Sequence, residues 1–131
     1  MIEKLKLLEE NLKVLQDMKN ALTLDVLKKD KTKEWALRYG LYECIQIVID
    51  IACYLVSKYN LGNPKSYSEC IEYLERHRYL SENIGDKLKK MIGLRNLLAH
   101  EYIKIDLLKL LNFLKNLDDF REFVNSIKKF I

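Results

Sequence analysis

At 131 residues the chain is long enough to bury one core and too short for two, so residues 1–131 are read as a single domain. Four glycines and one proline leave few places for turns, and 49% hydrophobic with 32% charged residues exclude a disordered or β-rich chain. Lys and Arg outnumber Asp and Glu by 23 to 19; the resulting net charge of +4 permits nucleic-acid binding without demanding it.

The pattern predicts an all-α, up-and-down bundle of about five helices, with no stretch alternating long enough to be a strand. In the first helix Ile2, Leu5, Leu8, Leu12, Leu15, Met18 and Leu22 recur at steps of three and four, giving one apolar stripe among charges. A polar connector follows from Thr23 to Asp30, in which Val26 and Leu27 can add a single turn. Asp30 or Thr32 then offers an N-cap for a long second helix through about Tyr59. With Trp35, Leu41, Tyr42, Ile45, Val48, Ile49, Ile51, Ala52, Leu55 and Val56, that helix is apolar on more than one side and is the expected centre of the bundle.

Gly62-Asn63-Pro64 stops it, and Ser66 with Glu69 forms a capping box opening a third helix through about Glu75. Ser81 caps the fourth, whose inward face is Ile84, Leu88, Met91, Ile92, Leu98 and Ala99, with Lys87, Lys89 and Lys90 outward. Asp106 caps the fifth, which carries Leu107, Leu111, Leu114, Leu117, Phe120, Val124 and Ile127 at helical spacing.

Cys44, Cys53 and Cys70 show no metal-ligand spacing, so no zinc site is expected. They read as small buried hydrophobes in a reducing cytoplasm, with a regulatory disulfide the minor reading. Charges at Glu3, Lys4 and Lys6 have no uninterrupted apolar stretch behind them, so no signal peptide is expected. The longest apolar run, Cys44 to Val56, is broken by Gln46 and Asp50 and falls short of the ~20 residues needed to span a bilayer. A soluble cytoplasmic protein is the expectation.

The chemistry-bearing stretch is Arg95-Asn96-Leu97-Leu98-Ala99-His100-Glu101-Tyr102. Histidine is the side chain whose ordinary pKa lies nearest neutrality, and arginine can grip a phosphate with two donors while keeping its charge. Arg95 and His100 therefore form a candidate phosphodiester-cleaving pair; the alternative is a solvated helix arginine and a satisfied histidine at a helix end. The other histidine, His77, lies in Glu75-Arg76-His77-Arg78 and reads as a solvated turn residue. Asp50, inside the most apolar helix, must meet a cation or a donor, because an unpaired buried carboxylate is costly. Either a structural hydrogen bond in the core or near Arg95, or a supporting role in the cleft, would meet that need.

At about 100° per residue, Arg95 and His100 lie roughly 140° apart around a helix axis. One straight helix would not aim both at one phosphate. Either the helix ends or bends before His100, or the site combines residues from two copies of the chain.

From Glu34 to Asp106 the chain resembles the HepT family of HEPN-domain toxins. The resemblance rests on the apolar helix Cys44-Ile45-Gln46-Ile47-Val48-Ile49-Asp50-Ile51-Ala52-Cys53-Tyr54-Leu55, the turn Leu61-Gly62-Asn63-Pro64-Lys65-Ser66-Tyr67, and Lys90-Met91-Ile92-Gly93-Leu94-Arg95-Asn96 leading into an Arg-x4-His-x-Tyr motif. It implies a helical ribonuclease whose cleft forms from two motifs at a homodimer interface, using the apolar surface of the second and fourth helices. It further implies an antitoxin partner, an MNT-type nucleotidyltransferase that uses ATP and magnesium to transfer AMP to the motif tyrosine, Tyr102. On this reading His100 moves protons, Arg95 holds the RNA phosphate, and Asn96 orients His100 or donates to a non-bridging oxygen, with no cofactor or metal of the chain's own. The alternative is a helical adaptor that binds a nucleotidyltransferase partner or a nucleotide without cutting RNA. Neither DNA nor a membrane is an expected partner.

Overall fold

The computed structural model describes residues 1–100 and 105–131. Among them are seven α-helices, a closing 3-10 turn at Lys128–Phe130 and no strand: α1 (Ile2–Ala21), α2 (Leu24–Lys29), α3 (Lys31–Lys58), α4 (Tyr67–Arg76), α5 (Glu82–His100), α6 (Leu107–Lys115) and α7 (Asp118–Ile127). The fold class is as expected, and the caps explain where the helices begin. Asp30, Ser66, Ser81 and Asp106 each accept a backbone N–H of the following first turn at 2.9 to 3.2 Å, satisfying donors that the helix itself cannot.

Seven helices replace the expected five for two local reasons. In the first connector Thr23 caps a real turn, its hydroxyl accepting from Val26 N at 3.2 Å, and buried Leu27 anchors that turn to the core. The last helix breaks at Asn116, whose side-chain amide turns back to the Asn112 carbonyl at 2.9 Å, so that the chain re-aims and Leu117 and Phe120 both enter the core.

Helix α3 is the centre, with eleven buried residues from Leu37 to Val56, and it packs against α1, α2, α4, α5 and α6. By length and composition alone it could cross a membrane; here its apolar side chains fill the middle of the bundle. Truncating one of them, Ile45→Ala for example, removes apolar contact and leaves a cavity, at a cost of about 2–5 kcal/mol. Trp35 departs from the apolar reading of this helix: it sits near the helix start, 62% exposed, beside an equally exposed Tyr39.

The turn after α3 needs Gly62, whose φ is +156° and where a Cβ would run into the Tyr73 ring. Across that turn Cys53 of α3 and Cys70 of α4 are joined by a disulfide, with their Cα atoms 5.2 Å apart, which corrects the reading of both as free thiols. Cys44 remains free and buried, and burial pushes its thiol pKa up to about 12.

Candidate active site

Helix α5 is held against the core by Leu88, Met91, Ile92 and Leu94 and runs without interruption from Glu82 to His100. The helix therefore does not end before His100. Arg95 and His100 sit on different sides of one helix, roughly 7.5 Å apart along its axis at 1.5 Å per residue.

Arg95 is half-buried and held from four directions. Its Nε donates to Gln46 Oε1 at 3.0 Å, and its Nη1 donates to Asn96 Oδ1 at 3.2 Å. The guanidinium lies 5.5 Å from the Tyr42 ring centre and 5.3 Å from that of Tyr67, contacts worth about 0.5–1 kcal/mol each at exposed sites. Its Nη2 also reaches the Tyr42 hydroxyl, at 3.5 Å. Asn96 is thus engaged with Arg95, not with His100.

Asp50 has both a donor and a cation. Gln46 Nε2 donates to its Oδ1 at 2.9 Å, and Lys4 from α1 pairs with its Oδ2 at 2.8 Å. A polar string, Lys4–Asp50–Gln46–Arg95, so crosses from α1 through α3 to α5. Sequence reading singled out Asp50 and Arg95 but not their connectors. A signal was present: Tyr42, Gln46 and Asp50 recur every four residues, one polar stripe down the most apolar helix of the chain. Tyr67, arriving from α4, had no signal of its own.

His100 is exposed at the last turn of α5, and among the described residues no side chain holds it. Tyr102, the third motif residue, lies outside the described residues, as does its expected alignment with Arg95. His77 ends α4 as an exposed turn residue. Of the three lysines expected to face outward before the motif, Lys87 pairs with Asp119 and Glu122 and Lys89 with Glu72 and Glu75; Lys90 is exposed.

Toward the His100 end, a groove of about 290 Å³ opens between α3 and α5, lined by Trp35, Arg38, Tyr39, Tyr42, Leu98 and Ala99. Tyr39 is tied to Glu43, whose pKa is lowered first by the Tyr39 hydroxyl and then by Asn11, which donates to it at 2.7 Å.

Known proteins match this arrangement along almost its whole length. The family described as "Ribonuclease HepT-like" matches residues 8–127. The mRNA nuclease HepT of Shewanella oneidensis is 31% identical over 102 residues, 77% of either chain. A putative RNase of Archaeoglobus fulgidus is 28% identical over 100 residues, 76% of this chain and 75% of that one. Among solved structures, the tri-AMPylated Shewanella oneidensis HEPN toxin in complex with MNT antitoxin superposes with a TM-score of 0.89 at 28% identity, covering 98% of this chain and 96% of that one. The fold, the Arg95–His100 helix and these matches agree: the chain belongs to the HepT-like ribonuclease family.

Proposed function

We propose that the chain is the toxin of a toxin–antitoxin pair, a homodimeric, metal-independent endoribonuclease acting in the cytoplasm. The observation that carries this reading is the pairing, on one helix of a HepT-like bundle, of an arginine fixed by four neighbours with a histidine left open to solvent. RNA supplies its own nucleophile, so the site needs only proton transfer and charge stabilisation. His100 takes the proton of the 2′-hydroxyl; the 2′-oxygen bonds to phosphorus as the P–O5′ bond breaks. The departing 5′-oxygen is protonated by water, and the Arg95 at that phosphate comes from the second copy. Arg95 binds the non-bridging oxygens and offsets the charge of the phosphorane, and the products are a 2′,3′-cyclic phosphate and a 5′-hydroxyl.

We place a second copy in the site because α5, uninterrupted to His100, carries its own Arg95 and His100 on different sides of the helix. The surface that suits it is the Trp35–Tyr39–Leu98 face, apolar and adjacent to the histidine. Light scattering should give a dimer at micromolar concentration; a 15.6 kDa species at concentrations where RNA is cut would refute the shared site.

Control belongs to an MNT-type nucleotidyltransferase that uses ATP and magnesium to place AMP on Tyr102. A toxin similar to this chain is found tri-AMPylated beside such an antitoxin, and negative charge added two residues beyond His100 would repel RNA by the electrostatics that attract it. Three measurements decide the reading: RNA cleavage that survives EDTA, its loss in His100→Ala, and added adenylate mass mapped to Tyr102 after co-expression with the antitoxin. Binding to the nucleotidyltransferase without cleavage of any RNA would instead make the chain an adaptor.

A further inference from the structure

Arginine 95 is the end of the polar string, and the order of donors along that string is fixed by chemistry. A carboxylate only accepts, so Asp50 requires the amide nitrogen of Gln46 to face it, as the 2.9 Å contact from Nε2 to Oδ1 records. That leaves the amide oxygen of Gln46 turned to Arg95, where it accepts from Nε at 3.0 Å. Were the amide reversed, two N–H donors would face each other across that gap. Lys4 completes the order by pairing with the second Asp50 oxygen at 2.8 Å. Three helices, α1, α3 and α5, thus determine which way one side-chain amide points.

Gln46 contacts Arg95 through Nε, on the edge of the guanidinium away from the Nη1–Nη2 pair. That outer pair, in which Nη1 also donates to Asn96 Oδ1 and Nη2 reaches the Tyr42 hydroxyl, carries two N–H donors on each nitrogen, and the second donor of each is what a phosphate grips with two parallel bonds. The rings of Tyr42 and Tyr67, at 5.5 and 5.3 Å, limit tilting of the plane, while the bond to Nε stops its rotation about the ring contacts. The amide has a second consequence. A carboxylate at position 46 would also accept from Nε, but would neutralise the guanidinium at hydrogen-bond distance. The neutral amide leaves the carboxylate of the string to Asp50, on the far side of Gln46, and Asp50 has Lys4 as its own counter-ion.

We propose that Gln46 is a positioning residue that orients Arg95 for bidentate phosphate binding without neutralising it, its amide held in the working sense by Asp50 and Lys4. This rests on the reading of Arg95 as the phosphate-binding group, and the experiment separates the two. In Gln46→Leu, kcat/KM for RNA cleavage should fall about tenfold or more, the range for a lost charge-assisted hydrogen bond. Gln46→Glu should keep Arg95 oriented and act mainly on KM, raising it. Asp50→Asn, which lets the amide reverse, should lie between wild type and Gln46→Leu, with thermal midpoints failing to follow the order of the activity losses. A readout independent of activity is the Arg95 Nε–H resonance in a 15N spectrum, assigned by its absence in Arg95→Lys. It should exchange slowly with water in the wild type and be lost to fast exchange in Gln46→Leu, with the Arg38 Nε–H unchanged. An Arg95 Nε–H that exchanges equally in the two proteins, or a Gln46→Leu enzyme within about twofold of wild type, overturns the proposal. Full activity in Arg95→Ala with a slow, Gln46-dependent Nε–H in the wild type would instead overturn the phosphate-binding role and leave the positioning intact.

Discussion

The two functional ends of helix α5 are built in opposite ways. Arg95 is half-buried, set 5.5 and 5.3 Å from the ring centres of two tyrosines and hydrogen-bonded to Gln46 and Asn96; His100, five residues on, is exposed with no described side chain holding it. An anion-binding group gains from being fixed before substrate arrives, because its geometry then costs no reorganisation at the moment of reaction. The histidine is left for something else to organise, and the apolar groove of Trp35, Tyr39, Leu98 and Ala99 beside it is the part of the surface that a second copy would cover. On the proposed function the arginine half of the site is complete within one chain, and the histidine half would be completed by the second copy.

The sharpest way to break this comparison is to remove each residue in turn. Arg95→Ala and His100→Ala should each lower RNA cleavage by about a hundredfold or more, the usual consequence of losing a transition-state donor or proton carrier. Stability should separate them. Losing Arg95 removes two ring contacts and a bond to Gln46, so its thermal midpoint should drop by an amount equivalent to about 1–2 kcal/mol, whereas His100→Ala should melt as wild type does. Equal midpoints would mean that Arg95 is not held as its contacts indicate.

Trp35→Glu tests the histidine half. A charge on the exposed indole position should convert the dimer to monomer and abolish cleavage while leaving the helical content of the monomer unchanged, because Trp35 is 62% exposed and outside the core. Sedimentation and circular dichroism measured on one sample give both results. A variant that remains dimeric and active places the second copy on another face.

The helices were legible in the sequence wherever a cap and an apolar period coincided, as at Asp30, Ser66, Ser81 and Asp106. They were not legible where a single side chain redirected the backbone, as Asn116 does in splitting α6 from α7. The motif residues could be named from the sequence, Arg95 and His100 as a candidate pair and Tyr102 through the family resemblance, but the frame around Arg95 could not. Gln46 and Tyr42 are four residues apart on α3, far from Arg95 in the sequence, and Tyr67 arrives from α4, so their meeting depends on how three helices pack. The bond between Cys53 and Cys70 was hidden for the same reason: it lies across the α3–α4 contact and leaves no spacing signature.

That disulfide bears on the arginine half only. It closes a loop of 17 residues, for which the loss of chain entropy in the unfolded state is worth about 3 kcal/mol, and it secures the helix that presents Tyr67 to Arg95. Reduction, or Cys53→Ser with Cys70→Ser, should lower stability by up to that amount. It should also weaken RNA binding through Arg95 while leaving the dimer intact. Native-state alkylation after reduction should label half-buried Cys53 and spare Cys44, whose buried thiol, with its pKa near 12, stays protonated.

The smallest effect concerns the acid side of the stability profile and belongs to the histidine half. Glu43 has its pKa lowered by hydrogen bonds from Tyr39 and Asn11, so the folded state favours its charged form more than the unfolded chain does. A depressed carboxyl pKa contributes stability that is fully present above the unfolded value and is lost as pH falls through the folded value. Stability should therefore decline below the ordinary glutamate range in part because Glu43 takes up a proton. Glu43→Gln should flatten that part of the decline, read as a smaller change in thermal midpoint between neutral and acid pH than in wild type. Because Tyr39 also lines the apolar groove, the same variant should loosen the dimer slightly while the 15N signal of Arg95 Nε stays where it was. A shift of that signal would mean that the two halves of the site are coupled through α3, and the contrast between a preset arginine and an externally organised histidine would have to be given up.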